Sequence, residues 1–288
     1  MSDRDPAGAS PAKPASAWQQ LRASLDRPPA PAREMPYPRI RNFVLDVMTA
    51  GRRKNTVNVM LQADVTDVLR HLARNATDEA TRVSITAFMA SALAQTIRAH
   101  PHLNAYRKGS GTLVVFDEID LNFTVEREVD GALLPVPFIV RSAETKSATD
   151  IHRELQAAKV APVGETGPMS ALEKAFFLMP DFARGVVWFL MRRDPFLFKL
   201  MAGTVGVTSI GMYTDGGIIG IPITPMTLTL TIGGIEARLA LVDGVPVERS
   251  FIHLNLSVDH DIIDGAPLVR FADAFKRQLE SDAAGAAE

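Results

Sequence analysis

Alternating apolar and polar residues mark a strand near the end of the chain. Leu254, Leu256 and Val258 alternate with polar residues, and this period of two predicts a β-strand with one buried face. Further on, helical spacing separates another apolar set: Leu268, Phe271, Ala272, Phe275 and Leu279. The pattern therefore predicts a strand, a turn and a helix, with Pro267 in the first helical turn, where a missing N–H is tolerated.

Strand-like and helix-like segments interleave along the rest of the chain. Residues 83–98 and 149–159 have a helical pattern. The predicted strands cover residues 112–116 and 121–126 (around a turn), 218–235 (strand, break, strand) and 241–247 (two strand ends around an Asp-Gly turn). Because strands outnumber simple β-α-β units, the predicted fold class is α+β, a mixed β-sheet covered by helices.

The termini differ in composition from the rest of the chain. Residues 1–33 are rich in Pro, Ala and Ser, so we expect a largely disordered segment in which only residues 15–26 have the pattern of a short amphipathic helix. Residues 283–288 are small and polar, and we expect a second disordered tail there. One folded domain is therefore expected at residues 34–282.

Residues 171–203 are strongly apolar but interrupted. A membrane-spanning helix needs about 20 nearly uninterrupted apolar residues, whereas Asp181, Arg184 and Pro195 are among the residues that break this stretch. We predict two or three short helices packed on protein. An interfacial membrane contact is the alternative, because Arg192 and other basic residues lie beside aromatic ones.

Composition excludes several classes of function. The 31 Lys and Arg residues nearly balance 33 acidic residues, so no overall field favours nucleic acid or an anionic membrane. The absence of cysteine excludes disulfides, a thiolate metal site and a cysteine nucleophile. His100 and His102 lack a third metal ligand at suitable spacing, so no metal is predicted. No apolar core follows the polar first residues, so we expect no signal peptide and a cytoplasmic location.

His260 is the candidate catalytic residue of the predicted turn. Its ordinary pKa lies near physiological pH, and a ring fixed between a strand end and a helix start can act as a general base. A histidine at a strand end is equally typical of an ordinary surface position. The short pattern H-x-x-x-D-G leaves both interpretations open.

Residues 259–265 resemble the D-H-R-x-x-D-G signature of dihydrolipoamide acyltransferases, the core subunits of 2-oxo acid dehydrogenase complexes, and the H-x-x-x-D-G signature of the related chloramphenicol acetyltransferases. Further landmarks occur in the family's order, at residues 38–41, 59–66, 99–105, 130–137 and 207–212. On these residues the chain is identified as a member of this acyltransferase family over residues 36–282, and residues 34–282 are expected to form its catalytic domain. Residues 171–203 depart from the family as an apolar helical insertion.

The resemblance implies roles for individual residues. His260 would be the general base, and Thr208 would donate to the oxyanion where the family usually has serine. From the pattern alone Thr208 is an ordinary strand residue, and Ser209 would point to the opposite face. Asp264 would form an ion pair with Arg41 that holds the catalytic turn, although Arg41 also fits a solvated helix arginine. Gly265 would supply conformational freedom in that turn.

The resemblance also implies ligands and partners. Coenzyme A is expected as the acyl-CoA substrate. The protein is expected to form a homotrimer or larger assembly in which each active site lies between two subunits. No lipoyl attachment site is expected in this chain, so a lipoyl carrier protein would act in trans. Asp261 replaces the family's arginine, which weakens the case for dihydrolipoamide as acceptor and leaves an alcohol or amine open. A catalytically silent trimeric scaffold or partner subunit is the alternative function.

Overall fold

The structure is a computed structural model that describes residues 16–25, 33–35, 37, 41–76, 82–129, 132–160, 176, 179–211, 214 and 216–285. The chain forms two compact units, residues 1–39 and residues 40–288. In the first unit, helix α1 (Ala17–Leu25) is exposed along its whole length. It is the short helix predicted for residues 15–26. The remaining expectation of disorder falls on residues 1–15, 26–32 and 286–288, which lie outside the described residues.

The second unit is built from eight strands and seven helices among the described residues. The strands are β1 (Thr56–Asp64), β2 (Ala105–Lys108), β3 (Thr112–Val115), β4 (Leu121–Val129), β5 (Ala132–Val140), β6 (Val205–Ser209), β7 (Leu228–Val242) and β8 (Val245–Asp259). The helices are α2 (Arg41–Gly51), α3 (Thr66–Asn75), α4 (Ile85–Arg98), α5 (Ala148–Val160), α6 (Asp181–Met191), α7 (Pro195–Ala202) and α8 (Gly265–Gly285). Short 3₁₀ turns cover Pro101–Leu103 and Ala143–Thr145.

Six strands form one mixed sheet in the order β1-β8-β7-β6-β4-β5. Strand β6 is parallel to both β4 and β7, and the other neighbours are antiparallel. The predicted Asp-Gly turn joins β7 to β8, where Asp243 and Gly244 have φ of 51° and 81°, as a type I′ hairpin turn requires. The α+β prediction of a mixed sheet with helices is confirmed.

Two predictions about strands are wrong. Residues 112–116 and 121–126 do not form a hairpin, because β3 pairs with β2 in a separate two-stranded sheet. Gly109, at φ 64°, permits the turn that joins those two strands. Residues 218–227 contain no strand, since Pro222 and Pro225 remove backbone donors and the chain crosses as a loop before β7.

Two apolar clusters lie on opposite faces of the sheet. Leu228, Leu230 and Ile232 point into the main core, which α4 and α8 cover with fully buried side chains such as Met89, Leu93, Phe271 and Phe275. Each side chain of this kind contributes about 1.5–3 kcal/mol by its burial. Thr229 points to the other face, where α2, α6 and α7 build the second cluster around Phe176, Trp188, Met191 and Phe198. Period-two alternation along β7 therefore separates the faces.

Helices α6 and α7 account for the described part of residues 171–203. They meet at residues 192–194 and bury Trp188, Met191 and Phe198 against protein, as predicted. Residues 171–175, 177 and 178 lie outside the described part of the chain. Where the structure describes helices, each is too short or too polar to cross a lipid bilayer.

At the other end of the chain, α8 runs to Gly285, past the predicted boundary at 282, because Ala283 and Ala284 favour helix.

Candidate active site

His260 lies directly after β8, at the start of the turn into α8. Its backbone N–H donates to the Asn55 carbonyl at 2.8 Å, which fixes the turn against the segment before β1. The ring is 43% exposed, and Nδ1 lies 3.8 Å from an Asp264 carboxylate oxygen. The predicted strand, turn and helix are therefore present, with the ring reachable from solvent.

A buried ion pair holds this turn, and sequence reasoning missed it. Asp259 is only 2% exposed, and its carboxylate is paired with the ammonium group of Lys54. The same carboxylate accepts a hydrogen bond from the Asp261 N–H at 3.1 Å. The Asp259 carbonyl accepts from the N–H groups of Ile262 and Ile263 at 3.0 and 3.1 Å. Asp259 thus anchors the loop next to His260, but nothing local in the sequence links it to Lys54, 205 positions away.

The expected ion pair between Arg41 and Asp264 is not formed within the described residues of this chain. Asp264 is 86% exposed, and its carbonyl accepts from Leu268 N at the start of α8. Arg41 is exposed at the first residue of α2, and this helix of 11 residues runs about 15 Å before it reaches the loop that carries Lys54. The alternative of a solvated helix arginine therefore describes Arg41 within the chain.

Gly265 also differs from the expectation. It is the first residue of α8, its φ lies outside the left-handed region, and a Cβ built there meets nothing within 4 Å. The fold of the single chain therefore places no requirement for glycine at this position.

Asp261 faces two partners. One carboxylate oxygen accepts a hydrogen bond from Asn55 Nδ2 at 2.7 Å, and the other lies 3.5 Å from the Arg107 guanidinium on β2. Asp261 therefore fastens the turn at His260 to the segment before β1.

Thr208 lies on β6 and points to the face of the sheet opposite the main core. It lines a cavity of about 330 Å³ whose walls come from α2, α6, α7, the neighbouring strands and residues 222–226. Ser209 points the other way, where its hydroxyl lies 3.5 Å from the Thr86 hydroxyl on α4. The opposite orientations of Thr208 and Ser209 follow the prediction for a regular strand.

One chain does not bring Thr208 and His260 together. In the sheet, Thr208 is level with Thr231 on β7, which is level with Asn255 on β8. His260 lies five residues beyond Asn255, about 17 Å along the strand, and two strand spacings add about 10 Å across the sheet. The two backbones are therefore about 20 Å apart within a chain.

Three arginines form a cationic cluster near the junction of α6 and α7. Partial burial, together with the neighbouring charges of Arg53 and Arg193, lowers the pKa of Arg192. Arg193 also stacks over the Phe189 ring at 4.1 Å. The cluster follows directly after Met191, which lines the cavity beside Thr208. Among the described residues no three His, Asp or Glu side chains converge as metal ligands would.

The profile of the family "2-oxoacid dehydrogenases acyltransferase (catalytic domain)" matches residues 29–164 and 199–285 of this sequence. The chain belongs to this acyltransferase family. The match is interrupted at residues 165–198, the part of the chain that contains α6.

Curated relatives of this chain are dihydrolipoyllysine-residue acetyltransferase components. The acetyltransferase component of the Mycobacterium tuberculosis pyruvate dehydrogenase complex is 28% identical over 254 residues, 82% of this chain and 40% of that protein. The acetyltransferase component of the acetoin cleaving system of Bacillus subtilis is 25% identical over 88% of this chain and 56% of that protein. The chain thus spans about half or less of the length of these relatives.

Solved structures share the fold. A probable dihydrolipoamide acetyltransferase from Listeria monocytogenes superimposes with a TM-score of 0.64 at 21% identity, over 88% of this chain and 96% of that one. The dihydrolipoamide acetyltransferase of Azotobacter vinelandii gives the same TM-score at 18% identity, over 96% and 99%. The mixed sheet with its covering helices is therefore the fold of acyltransferase catalytic cores.

Proposed function

We propose that the protein transfers an acyl group directly between coenzyme A and a thiol, with His260 as general base. The observation that carries this proposal is the position of the His260 ring, held open to solvent by the Lys54–Asp259 anchor, in a chain of this acyltransferase family. A fixed but accessible imidazole is what a general base needs.

The spacing of the site residues supports the assignment. In the Azotobacter vinelandii enzyme, a serine, a histidine and an asparagine were investigated for roles in catalysis; the histidine lies 52 positions after the serine and the asparagine four positions after the histidine. Thr208, His260 and Asp264 have the same separations of 52 and 4. Thr208 keeps the hydroxyl of the serine, and Asp264 keeps one acceptor oxygen of the asparagine.

The proposed reaction needs no acyl-enzyme. A ring nitrogen of His260 takes the proton of the acceptor thiol, and the thiolate sulfur forms a bond to the thioester carbonyl carbon. The Thr208 hydroxyl donates a hydrogen bond to the resulting oxyanion. When the tetrahedral intermediate collapses, the bond to the CoA sulfur breaks, and this sulfur takes the proton back from His260.

The distance of about 20 Å between Thr208 and His260 within a chain supports a site that two subunits share. We therefore propose a homotrimer, or a larger assembly of trimers, in which Thr208 of one subunit faces His260 of the next. One solved core with this fold is the cubic core of a pyruvate dehydrogenase complex. A lipoyl carrier supplied in trans would deliver the acceptor if the protein joins such a complex.

Coenzyme A fits the charge distribution near the cavity. Arg53, Arg192 and Arg193 are mutually repelling cations, and phosphate groups are the ligands that guanidinium groups favour. These residues would hold the phosphates of coenzyme A. The thioester supplies the activated carbonyl, and the chain's own residues orient it and move the proton.

A catalytically silent scaffold is the second candidate, favoured by the absence of a hydrogen-bond-length contact between His260 and Asp264, at 3.8 Å. A panel of acyl-CoA donors with thiol, alcohol and amine acceptors, followed by release of free CoA, separates the two. We expect thiol-dependent release that falls by about 10²–10⁴-fold in His260→Ala and stays unchanged in His71→Ala, whose histidine lies on α3, the helix that follows the end of β1 remote from Asp259. No transfer with any pair, or equal rates in His260→Ala, would favour the scaffold.

A further inference from the structure

Part of the wall of the cavity beside Thr208 comes from residues that the family profile does not match. Trp188 and Met191 on α6, together with Phe176, line it. Phe176, Trp188 and Met191 all lie within residues 165–198, which the family profile does not match. The opposite wall is α2, from which Phe43 and Val47 project. Phe176 and helix α6 therefore cover one side of a space over the sheet face that carries Thr208.

One ion pair and several hydrogen bonds from arginine side chains fix these walls in position. Arg184 of α6, itself buried, binds Asp46 of α2 at 2.8 Å and the Met179 carbonyl at 2.9 Å. At the next helix, Arg141 donates to the carbonyls of Lys199 and Leu200 at the end of α7, at 2.9 and 2.6 Å. The cavity is thus held open by links between the insertion, α2 and the sheet, as expected of a preformed ligand site.

Three polar side chains of the lining have partners within the protein, whereas the buried Trp188 Nε1–H has none among the described residues. Asn122 Nδ2 donates to the Ala202 carbonyl at 2.8 Å, and the hydroxyls of Thr224 and Thr229 lie 2.8 Å apart. The remaining lining is mainly apolar, from Phe43, Val47, Trp188, Met191, Met201 and Met226. Such a space does not suit the charged part of coenzyme A, because burying phosphate without partners is costly.

The volume sets the size of the group that fits. About 330 Å³ corresponds to about ten water-sized groups at about 30 Å³ each, far more than an acetyl group fills. A chain of about four to eight carbons, attached to the reacting carbon or sulfur at Thr208, fits this space.

We propose that the cavity beside Thr208 binds an apolar chain of the substrate, so that the protein acts on medium-length aliphatic substrates. This inference rests on the proposed acyl-transfer function. The aliphatic chain is part either of the acyl group or of the thiol, because both groups meet at Thr208. The two arms of the experiment distinguish these cases.

The first arm measures kcat/KM for straight-chain acyl-CoA donors of two to eight carbons with dihydrolipoamide as acceptor. The second arm uses acetyl-CoA with alkanethiols of the same lengths. In the arm that carries the chain, each added methylene should raise kcat/KM by about fourfold until the cavity is full, as burial of one CH₂ group predicts. Two flat profiles would overturn the inference and leave the acyl-transfer function standing.

A filling variant ties the effect to this cavity. Val47→Phe adds a ring inside the cavity and should abolish the dependence on chain length. Leu45→Phe, on the same helix but more than half exposed, is the matched control and should keep the wild-type profile. An unchanged profile in Val47→Phe would place the chain elsewhere.

Calorimetric binding keeps the inference testable apart from turnover. Hexanoyl-CoA against acetyl-CoA, and hexanethiol against ethanethiol, are titrated into wild type, Val47→Phe and Leu45→Phe, and only Val47→Phe should lose the dependence on chain length. A chain-length dependence of the dissociation constant supports the cavity even if no transfer is detected, in which case only the proposed function fails. Equal affinities within both pairs overturn the inference, whether or not transfer is detected.

Discussion

Replacing Lys54 with methionine removes the cation that faces the buried carboxylate of Asp259. Methionine keeps the length and most of the apolar stem of lysine, so the change is chiefly one of charge. Asp259 is 2% exposed and Lys54 is 24% exposed, so the carboxylate cannot regain its solvation in the variant. The perturbation thus leaves a buried charge without its partner, one residue before His260.

The expected size follows from this burial. Breaking a fully buried ion pair costs about 3–5 kcal/mol, and the partial exposure of Lys54 moderates this, so we expect a loss of about 2–3 kcal/mol. For a domain of this size, that loss lowers Tm by about 5–10 °C. Because the Asp259 carboxylate and carbonyl hold the backbone after His260, turnover should also fall, by about 10–100-fold if half or more of the loss appears as misplacement of the ring.

Thermal unfolding followed by circular dichroism and a CoA-release assay measure the two effects. Lys276→Met is the matched control, since Lys276 and its partner Glu280 on α8 are 41% and 31% exposed, and i,i+4 helix pairs contribute about 0.3–0.5 kcal/mol. Asp259→Asn added to Lys54→Met should recover part of the stability, because it removes the unmatched charge. A Lys54→Met variant with the Tm and turnover of the control would refute the anchoring role.

Three further predictions address other parts of the molecule. Thr208→Val should lower kcat by about 10²–10³-fold, the effect of losing one oxyanion donor, whereas Thr208→Ser should keep most of the activity; equal losses would argue against a hydroxyl donor. Arg41→Ala and Asp264→Asn should change Tm additively, because no ion pair joins them in the chain; a double variant no worse than the poorer single one would restore the pair. Burial alone would raise the pKa of Asp120, but hydrogen bonds from Lys199, Ser142 N and Arg141 outweigh it and hold that pKa below 3.8. The stabilisation by the Asp120 carboxylate is therefore present above pH 3.8 and is lost as pH falls through the lower pKa of the folded state. Asp120→Asn should flatten the fall of Tm at acid pH, and an unchanged fall would contradict this.

The sequence predicted the elements that repeat a simple period. Strand β8, the turn at His260 and helix α8 follow from alternation and helical spacing, because one face of each element is buried in a continuous core. The type I′ turn at Asp243 and Gly244 follows from local chemistry alone. In both cases the determining contacts lie within a few residues of one another.

Contacts between distant segments could not be predicted in the same way. The Lys54–Asp259 pair joins residues 205 positions apart. The pairing of β3 with β2 depends on a glycine turn between them, and β2 is only four residues long. The apolar content of α6 indicated burial but not which face of the sheet it would cover. The resemblance named Thr208 as a site residue, but only the register of β6, β7 and β8 shows how far it lies from His260.

In the proposed function, the separation of Thr208 from His260 makes the subunit boundary part of the chemistry. In the proposed trimer, a chain with Thr208→Val still lends a working histidine to its neighbour, and a chain with His260→Ala still lends a working threonine. Each variant alone assembles without a complete site, but in equal mixtures that exchange subunits at random, about one quarter of the sites would pair an intact threonine with an intact histidine. Activity would thus return on mixing two inactive proteins, and it would vanish on dilution once the subunits part.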